Sequence, residues 1–150
     1  ASLDQQDAVL QAELVSYVTD RETYDQADNA TRIPDVLSRS SGGAAEGLQQ
    51  LWSSTSADYP PKVYGDDVRI RVVVNSVSVI PSAVGRGVDV ARVRITKFRE
   101  ERGQQTAQRA FVVTVGYAFR PKQSATLGEV WKNPLGFTVS SYRIDAETAE

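Results

Sequence analysis

The spacing of apolar residues changes at Tyr64-Gly65-Asp66-Asp67, from a repeat near 3.6 to a repeat of two. Helices bury a stripe with the first period and strands bury a face with the second, so the chain must fold as helices followed by a sheet. Before the change, Leu10, Leu14, Tyr17 and Val18 fall at i, i+4, i+7 and i+8. They predict one helix running to about Glu22, with Ser2 and Gln5 at capping-box spacing. Asp25 to Arg32 is polar and turn-like. Thr31 is placed to cap a second helix with Pro34 in its first turn, where a missing N–H costs little. Ile33, Val36, Leu37 and Ser40 share one face of it, and Gly42-Gly43 stops it. Ala45, Leu48 and Trp52 predict a third short helix from about Ala44 to Ser56. Tyr59-Pro60-Pro61 ends the helical part, because proline donates nothing and restricts the residue before it.

Four strand-like runs follow. Val68–Ile80 places Val68, Ile70, Val72 and Val74 opposite Arg69 and Arg71. Val88–Arg99 sets Ala91, Val93 and Ile95 against Arg92 and Arg94. Arg109–Phe119 aligns Phe111, Val113, Val115, Tyr117 and Phe119. Phe137–Asp145 begins with Phe137 and Val139 and then shifts to Tyr142 and Ile144, so a bulge is expected at Ser140-Ser141. Pro81–Gly87 and Glu101-Arg102-Gly103 are too short for parallel crossovers, which makes the sheet antiparallel. The longer Arg120–Pro134 connection has room for a helical turn around Leu127–Val130. The expected fold is α+β: three N-terminal helices on a curved four-stranded antiparallel sheet, cone-like, with a groove between the layers.

Composition narrows the chemistry. The 150 residues include no Cys and no His. That removes disulfides, thiolate nucleophiles, imidazole ligands and the Ser-His-Asp triad. A formal net charge of −2 gives no overall pull toward nucleic acid or an acidic membrane. No apolar run is long enough to span a bilayer. The sequence also lacks Met, so an excised or processed piece is expected, with any targeting segment ahead of Ala1.

Asn133-Pro134-Leu135-Gly136-Phe137, followed by Val139, Tyr142-Arg143 and Asp145, resembles the C-terminal signature of the eighth VirB-operon product. Those proteins are bitopic inner-membrane assembly factors of bacterial type IV secretion and conjugation machines. Tyr17-Val18-Thr19-Asp20-Arg21-Glu22-Thr23-Tyr24 is similar to the family's opening segment, Tyr-Val-x-x-Arg-Glu-x-Tyr. The resemblance implies a nuclear-transport-factor-2-like fold for residues 1–150 and a periplasmic domain on a single-pass inner-membrane anchor absent from this sequence. It implies a weak homodimer or higher oligomer, contacts with other periplasmic and core-complex channel subunits, no cofactor and no catalysis.

Two groups of residues are candidates for protein contact. Asn133, Pro134, Leu135 and Gly136 read either as a turn or as a rigid loop presented to another subunit. Tyr17, Arg21 and Tyr24, at i, i+4 and i+7, read either as a dimer stripe or as a helix packed on the sheet. Arg69, Arg71, Arg92 and Arg94 form a basic face or a solvated one with acids interspersed. The missing aromatics between them argue against single-stranded nucleic acid. Asp66-Asp67 and Glu100-Glu101 read as turn carboxylates, Gly42-Gly43…Gly47 as a helix connection, and Trp52 and Trp131 as core or groove residues. Two alternatives stay open on the same cone. An isomerase-like enzyme needs a lone Asp or Glu deep inside, facing a Tyr donor. A small-ligand or peptide module needs a large, open apolar pocket.

Overall fold

The structure, a computed structural model, describes residues 5–80, 88–120 and 126–147. The elements are α1 (Gln5–Glu22), α2 (Asn29–Ser38), α3 (Gly42–Leu51), α4 (Pro60–Tyr64), β1 (Val68–Ile80), β2 (Asp89–Glu101), β3 (Gln104–Phe119), α5 (Leu127–Lys132) and β4 (Phe137–Ala146). The strands form one antiparallel sheet in the order β1-β2-β3-β4. The fold is therefore the α+β arrangement expected, helices on one face of a four-stranded antiparallel sheet. Ser2 and residues 81–87, expected as a helix cap and a short turn, lie outside the described residues.

The period-two alternation puts Ala91, Val93 and Ile95 of β2 beside Val113 and Val115 of β3, all fully buried. Leu14, Tyr17 and Val18 of α1 cover them, with Val36 of α2 and Leu48 of α3. Each such side chain contributes about 1.5–3 kcal/mol by leaving water, so the α1 stripe is the main seal of the sheet. The β2–β3 hairpin turns at Arg102 and Gly103, whose φ angles are 52° and 84°. Two consecutive positive φ values mark the tight turn that matches strand twist. Backbone pairing then extends β3 back to Gln104 through polar residues, earlier than the apolar pattern from Arg109 indicated. The bulge expected in β4 is present: Gly116 pairs with Ser141 and Tyr117 with Val139, so Ser140 is the extra residue.

Three helix boundaries differ from the sequence reading. The helix α2 begins at Asn29, with Asp28 as its N-cap residue, so Thr31 and Pro34 lie inside it. The polar Asp25–Arg32 stretch folds on itself to start that helix. Asn29 N–H donates to the Asp25 carbonyl at 2.9 Å, and Asp25 N–H donates to Asn29 Oδ1 at 3.0 Å. Arg32 then ties it to α1 through the Asp20 and Thr23 carbonyls, at 2.9 and 2.7 Å. Gly42 and Gly43 open α3 instead of closing α2. The segment before them bonds to the β4 edge: Ser41 N–H donates to Val139 O and Val139 N–H to Arg39 O, both at 2.8 Å. Gly42, at φ 51°, makes the turn from that extended stretch into α3. α3 itself stops at Leu51, short of the expected Ser56. Pro60 and Pro61, expected to end the helical part, instead occupy the first positions of the short α4, where their missing N–H groups cost nothing. Among the described residues, four helices, not three, thus precede the sheet.

Ile95 lies at the centre of this packing with no exposed surface. Ile95→Ala is expected to lower unfolding free energy by about 2–5 kcal/mol in urea titrations, through lost burial and the cavity left behind. Val73→Ala, on the exposed face, is expected to stay within about 0.5 kcal/mol of the parent.

Candidate functional site

The Asn133–Gly136 corner joins α5 to β4 and is fixed by its own side chain. Asn133 Oδ1 accepts the Phe137 N–H at 3.0 Å, while its Nδ2 donates to the Phe137 carbonyl at 2.9 Å. Gly136 N–H donates to the Asn133 carbonyl at 3.1 Å, and Gly136 takes φ 64°, a value that favours glycine. The Gly136 carbonyl accepts Arg120 N–H at 2.7 Å, closing the corner onto the end of β3. Phe137 is buried beneath it against Tyr117, Phe119 and Tyr17. The turn reading and the presented-loop reading are therefore compatible: the corner is rigid, and Leu135 stands 43% exposed on it.

α5 enters this corner with Leu127, Val130 and Trp131 at i, i+3 and i+4. All three are exposed, Trp131 to 75%. Trp131 is therefore not the packed residue that its type suggested. Phe119 and Phe137 pack on each other at that end of the sheet, with ring centroids 5.6 Å apart. Trp52 does pack, stacked on Tyr24 and edge-on to Tyr59, although its buried Nε1 has no hydrogen-bond partner.

The Tyr17, Arg21 and Tyr24 stripe is turned into the subunit. Tyr17 has no exposed surface; its hydroxyl lies 2.6 Å from Ser40 Oγ and accepts from Arg21 Nη1 at 3.0 Å. Arg21 also donates to the Ala44 carbonyl and sits 3.9 Å above the Tyr142 ring. Tyr24 exchanges backbone bonds with Ile70 at the β1 edge and donates its hydroxyl to Gly65 O at 2.6 Å. Burial, then the nearby Asp66, pushes the Tyr24 phenol up. These residues pin α1, α3 and the sheet together.

One interior group escaped the sequence reading. Glu22, at the end of α1, accepts from Tyr142 at 2.6 Å and pairs with Lys97 Nζ at 2.7 Å. The signal was present in the chain: Lys97 follows Ala91, Val93 and Ile95 in the inward register of β2. Burial and then the Glu22 charge push the Tyr142 phenol well above its ordinary value of 10.0. Glu22 is the deep acid facing a Tyr donor that an isomerase would need, but it is not alone. Lys97 and Tyr142 occupy its two oxygens separately, which leaves no free lone-acid base of the ketosteroid-isomerase kind. Arg39 is buried in a similar way, held by Asp20 and Asp35 at 2.9 and 3.0 Å.

Two clefts open elsewhere. One, about 620 Å³, lies beside the β2–β3 turn between Tyr64, Asp67, Glu101 and Arg102. The other, about 150 Å³, lies between Glu13, Ser16, Asp35, Arg39, Lys132 and Asn133. Both are mainly polar, unlike the apolar pockets that enclose small ligands. Among the described residues, no group of three His, Cys, Asp or Glu side chains is arranged to hold a metal. The arginines of the outer sheet face interleave with acids: Arg69 pairs with Asp25, Arg71 with Glu100 and Arg94 with Glu147. Glu101 and Asp67 likewise pair with Arg99 and Arg102.

Asn133→Ala is expected to cost about 1–3 kcal/mol, because two buried-backbone partners are lost at once. Hydrogen exchange at the Phe137 amide should speed up, and Asn133→Asp, which keeps the acceptor, should restore part of the protection. Tyr142 provides a pH test. Its raised phenol stabilises the fold fully below the unfolded-state value near 10, and that stability is lost as pH rises toward the folded value. Urea unfolding across pH 8–11 should show an alkaline loss that Tyr142→Phe reduces. A profile unchanged by the substitution would assign the loss to other tyrosines.

A family model described as VirB8 protein matches residues 1–147. Type IV secretion system protein PtlE of Bordetella pertussis is 32% identical over 139 residues, covering 91% of this chain and 56% of that protein. Type IV secretion system protein virB8 of Brucella abortus is 34% identical over 139 residues, covering 89% and 54%. The crystal structure of a TrwG component from Bartonella birtlesii superimposes with a TM-score of 0.80 at 27% identity, covering 98% of this chain and 96% of that one. The chain spans about half the length of the curated relatives it matches. Among the described residues, no helix is long and apolar enough to cross a membrane. By family match, by identity and by fold, the chain belongs to the VirB8 family of type IV secretion system components.

Proposed function

We propose that residues 1–150 form a periplasmic scaffold domain carried by a single-pass inner-membrane subunit of a type IV secretion channel. It associates weakly with copies of itself, docks other channel subunits and transforms no substrate. The observation that carries this reading is the pairing of a locked backbone with exposed apolar side chains at one corner. Asn133 and Gly136 fix the turn, and Leu135, Trp131 and Leu127 stand outside it at 43, 75 and 69% exposure. Exposed aromatic and aliphatic groups on a rigid base lose little conformational freedom on contact, which suits them as anchors in a partner's pocket.

The interior supports a scaffold as well. The groove expected between helices and sheet is filled by Tyr17, Arg21, Glu22, Lys97 and Tyr142, so the layers are cross-linked where an enzyme or ligand module would keep space. Arg69, Arg71 and Arg94 of the outer face each pair with an acid, which offsets part of the charge available to nucleic acid. Small interfaces, below about 1,200 Å², are typical of reversible contacts and fit an assembly factor that must release and re-engage.

The test is made in the full-length protein in its own cell. Trp131→Ala combined with Leu135→Ala should leave protein abundance unchanged and sharply reduce substrate transfer by the secretion system. It should also reduce co-purification with the other channel subunits. Normal transfer and normal co-purification would show that this corner docks nothing.

A further inference from the structure

The exposed apolar side chains of the corner sit beside two unengaged cations. Leu127, Val130 and Trp131 of α5 are exposed, as are Leu135 and Phe119 at the end of β3. Arg120 follows Phe119 directly, and its N–H donates to the Gly136 carbonyl, which holds it against the corner. Lys132 ends α5 beside Asn133. Both are exposed, and among the described side chains no carboxylate pairs with either. By contrast, Arg69, Arg71, Arg94 and Arg143 on the outer face of the sheet each meet an acid.

Charge is spread unevenly around this point. Residues 119–137 hold three bases and one acid, Glu129. Residues 1–67, which supply α1 to α4, hold twelve acids and four bases. The corner is a basic, apolar point on a domain whose helical part is acidic.

These charges discriminate between occupants. A twofold contact of corner with corner uses the same patch on both sides, so a second copy would bring Arg120 and Lys132 onto like charges. An anionic bilayer is a broad plane. Glu13 and Asp35 share a small cleft with Lys132, so such a plane would press its charge on them as well as on the cations. A narrow protein segment can set an apolar side chain on Trp131 and Leu135 and its carboxylates on Arg120 and Lys132.

We infer that the corner takes an acidic, apolar segment of another channel subunit, with carboxylates flanking the apolar anchor. The inference rests on the proposed docking at this corner and specifies the chemistry of the docked segment. Trp131 and Leu135 supply contact area. Arg120 and Lys132 select the partner, because rim charges govern encounter and specificity more than affinity.

The test places a photo-crosslinking p-benzoylphenylalanine at Leu135 in the full-length protein in its own cell. Mass spectrometry of the adduct should find a peptide of another channel subunit with Asp or Glu within about one helical turn of the linked position. The same crosslinker at Trp131 guards against a disturbed Leu135 contact. Arg120→Glu combined with Lys132→Glu should cut the adduct yield several-fold, while Arg120→Lys combined with Lys132→Arg should keep it. A linked segment without acids, or a yield that charge reversal leaves unchanged, overturns the inference and leaves docking at the corner standing. Adducts only with lipid or with a second copy, or no adduct from either position, overturn both.

Discussion

The helix α1 is the part on which the other elements depend. A four-stranded antiparallel sheet with one apolar face cannot leave that face in water, and α1 is the longest element available to cover it. Its apolar stripe buries Leu14, Tyr17 and Val18 on β2 and β3. Its C-terminal end then makes three directional ties to different places. Tyr17 reaches Ser40 between α2 and α3, Glu22 reaches Lys97 of β2 and Tyr142 of β4, and Tyr24, just past the helix, reaches Ile70 of β1. Burial alone would hold the helix against the sheet with rotational freedom. The polar ties fix one position, because each leaves an unpaired group if the helix slides.

This division of labour explains why polar and charged groups lie inside the domain. Charged groups in an interior are candidates for catalysis, and Glu22, Lys97 and Arg39 are all partly or fully withdrawn from water. Here each is neutralised by a partner that belongs to a different element. Ion pairs of this kind are poor sources of net stability but penalise every alternative packing that separates them. That penalty holds the helices and the sheet in one arrangement. The Asn133–Gly136 corner depends on it indirectly, since Phe137 beneath the corner packs on Tyr17.

The sheet was legible in the chain because its two requirements act locally. Side-chain alternation marked β1, β2 and β4, and the parity shift at Ser140-Ser141 marked the bulge. The helix boundaries were less legible because they are settled by partners distant in sequence. Gly42-Gly43 looked like a terminator, yet the extended residues before it are recruited by Val139 of β4, a pairing that no local pattern contains. The polar run at Asp25 looked like a turn because its capping bonds involve side chains that favour turns and helix starts equally. In the candidate site, the corner could be read from four residues. The exposure of Trp131 could not, because residue type favours burial. Helical spacing alone could not fix which way Tyr17 and Tyr24 face; both are buried within the chain.

Sheet edges pose a problem that the interior cannot solve. Every strand pair satisfies its backbone groups, but an open sheet must end twice, and each end exposes unpaired donors and acceptors. This chain meets the problem at β4 with a crossing segment and alternating charges, and at the start of β1 with Tyr24. The rest of β1 has neither device. It has a bulge, which discourages flat stacking of many copies, but no charge and no proline between Val72 and Ile80. A bulged, neutral edge is a poor template for an open-ended assembly, because the twist it adds must be matched by the incoming strand.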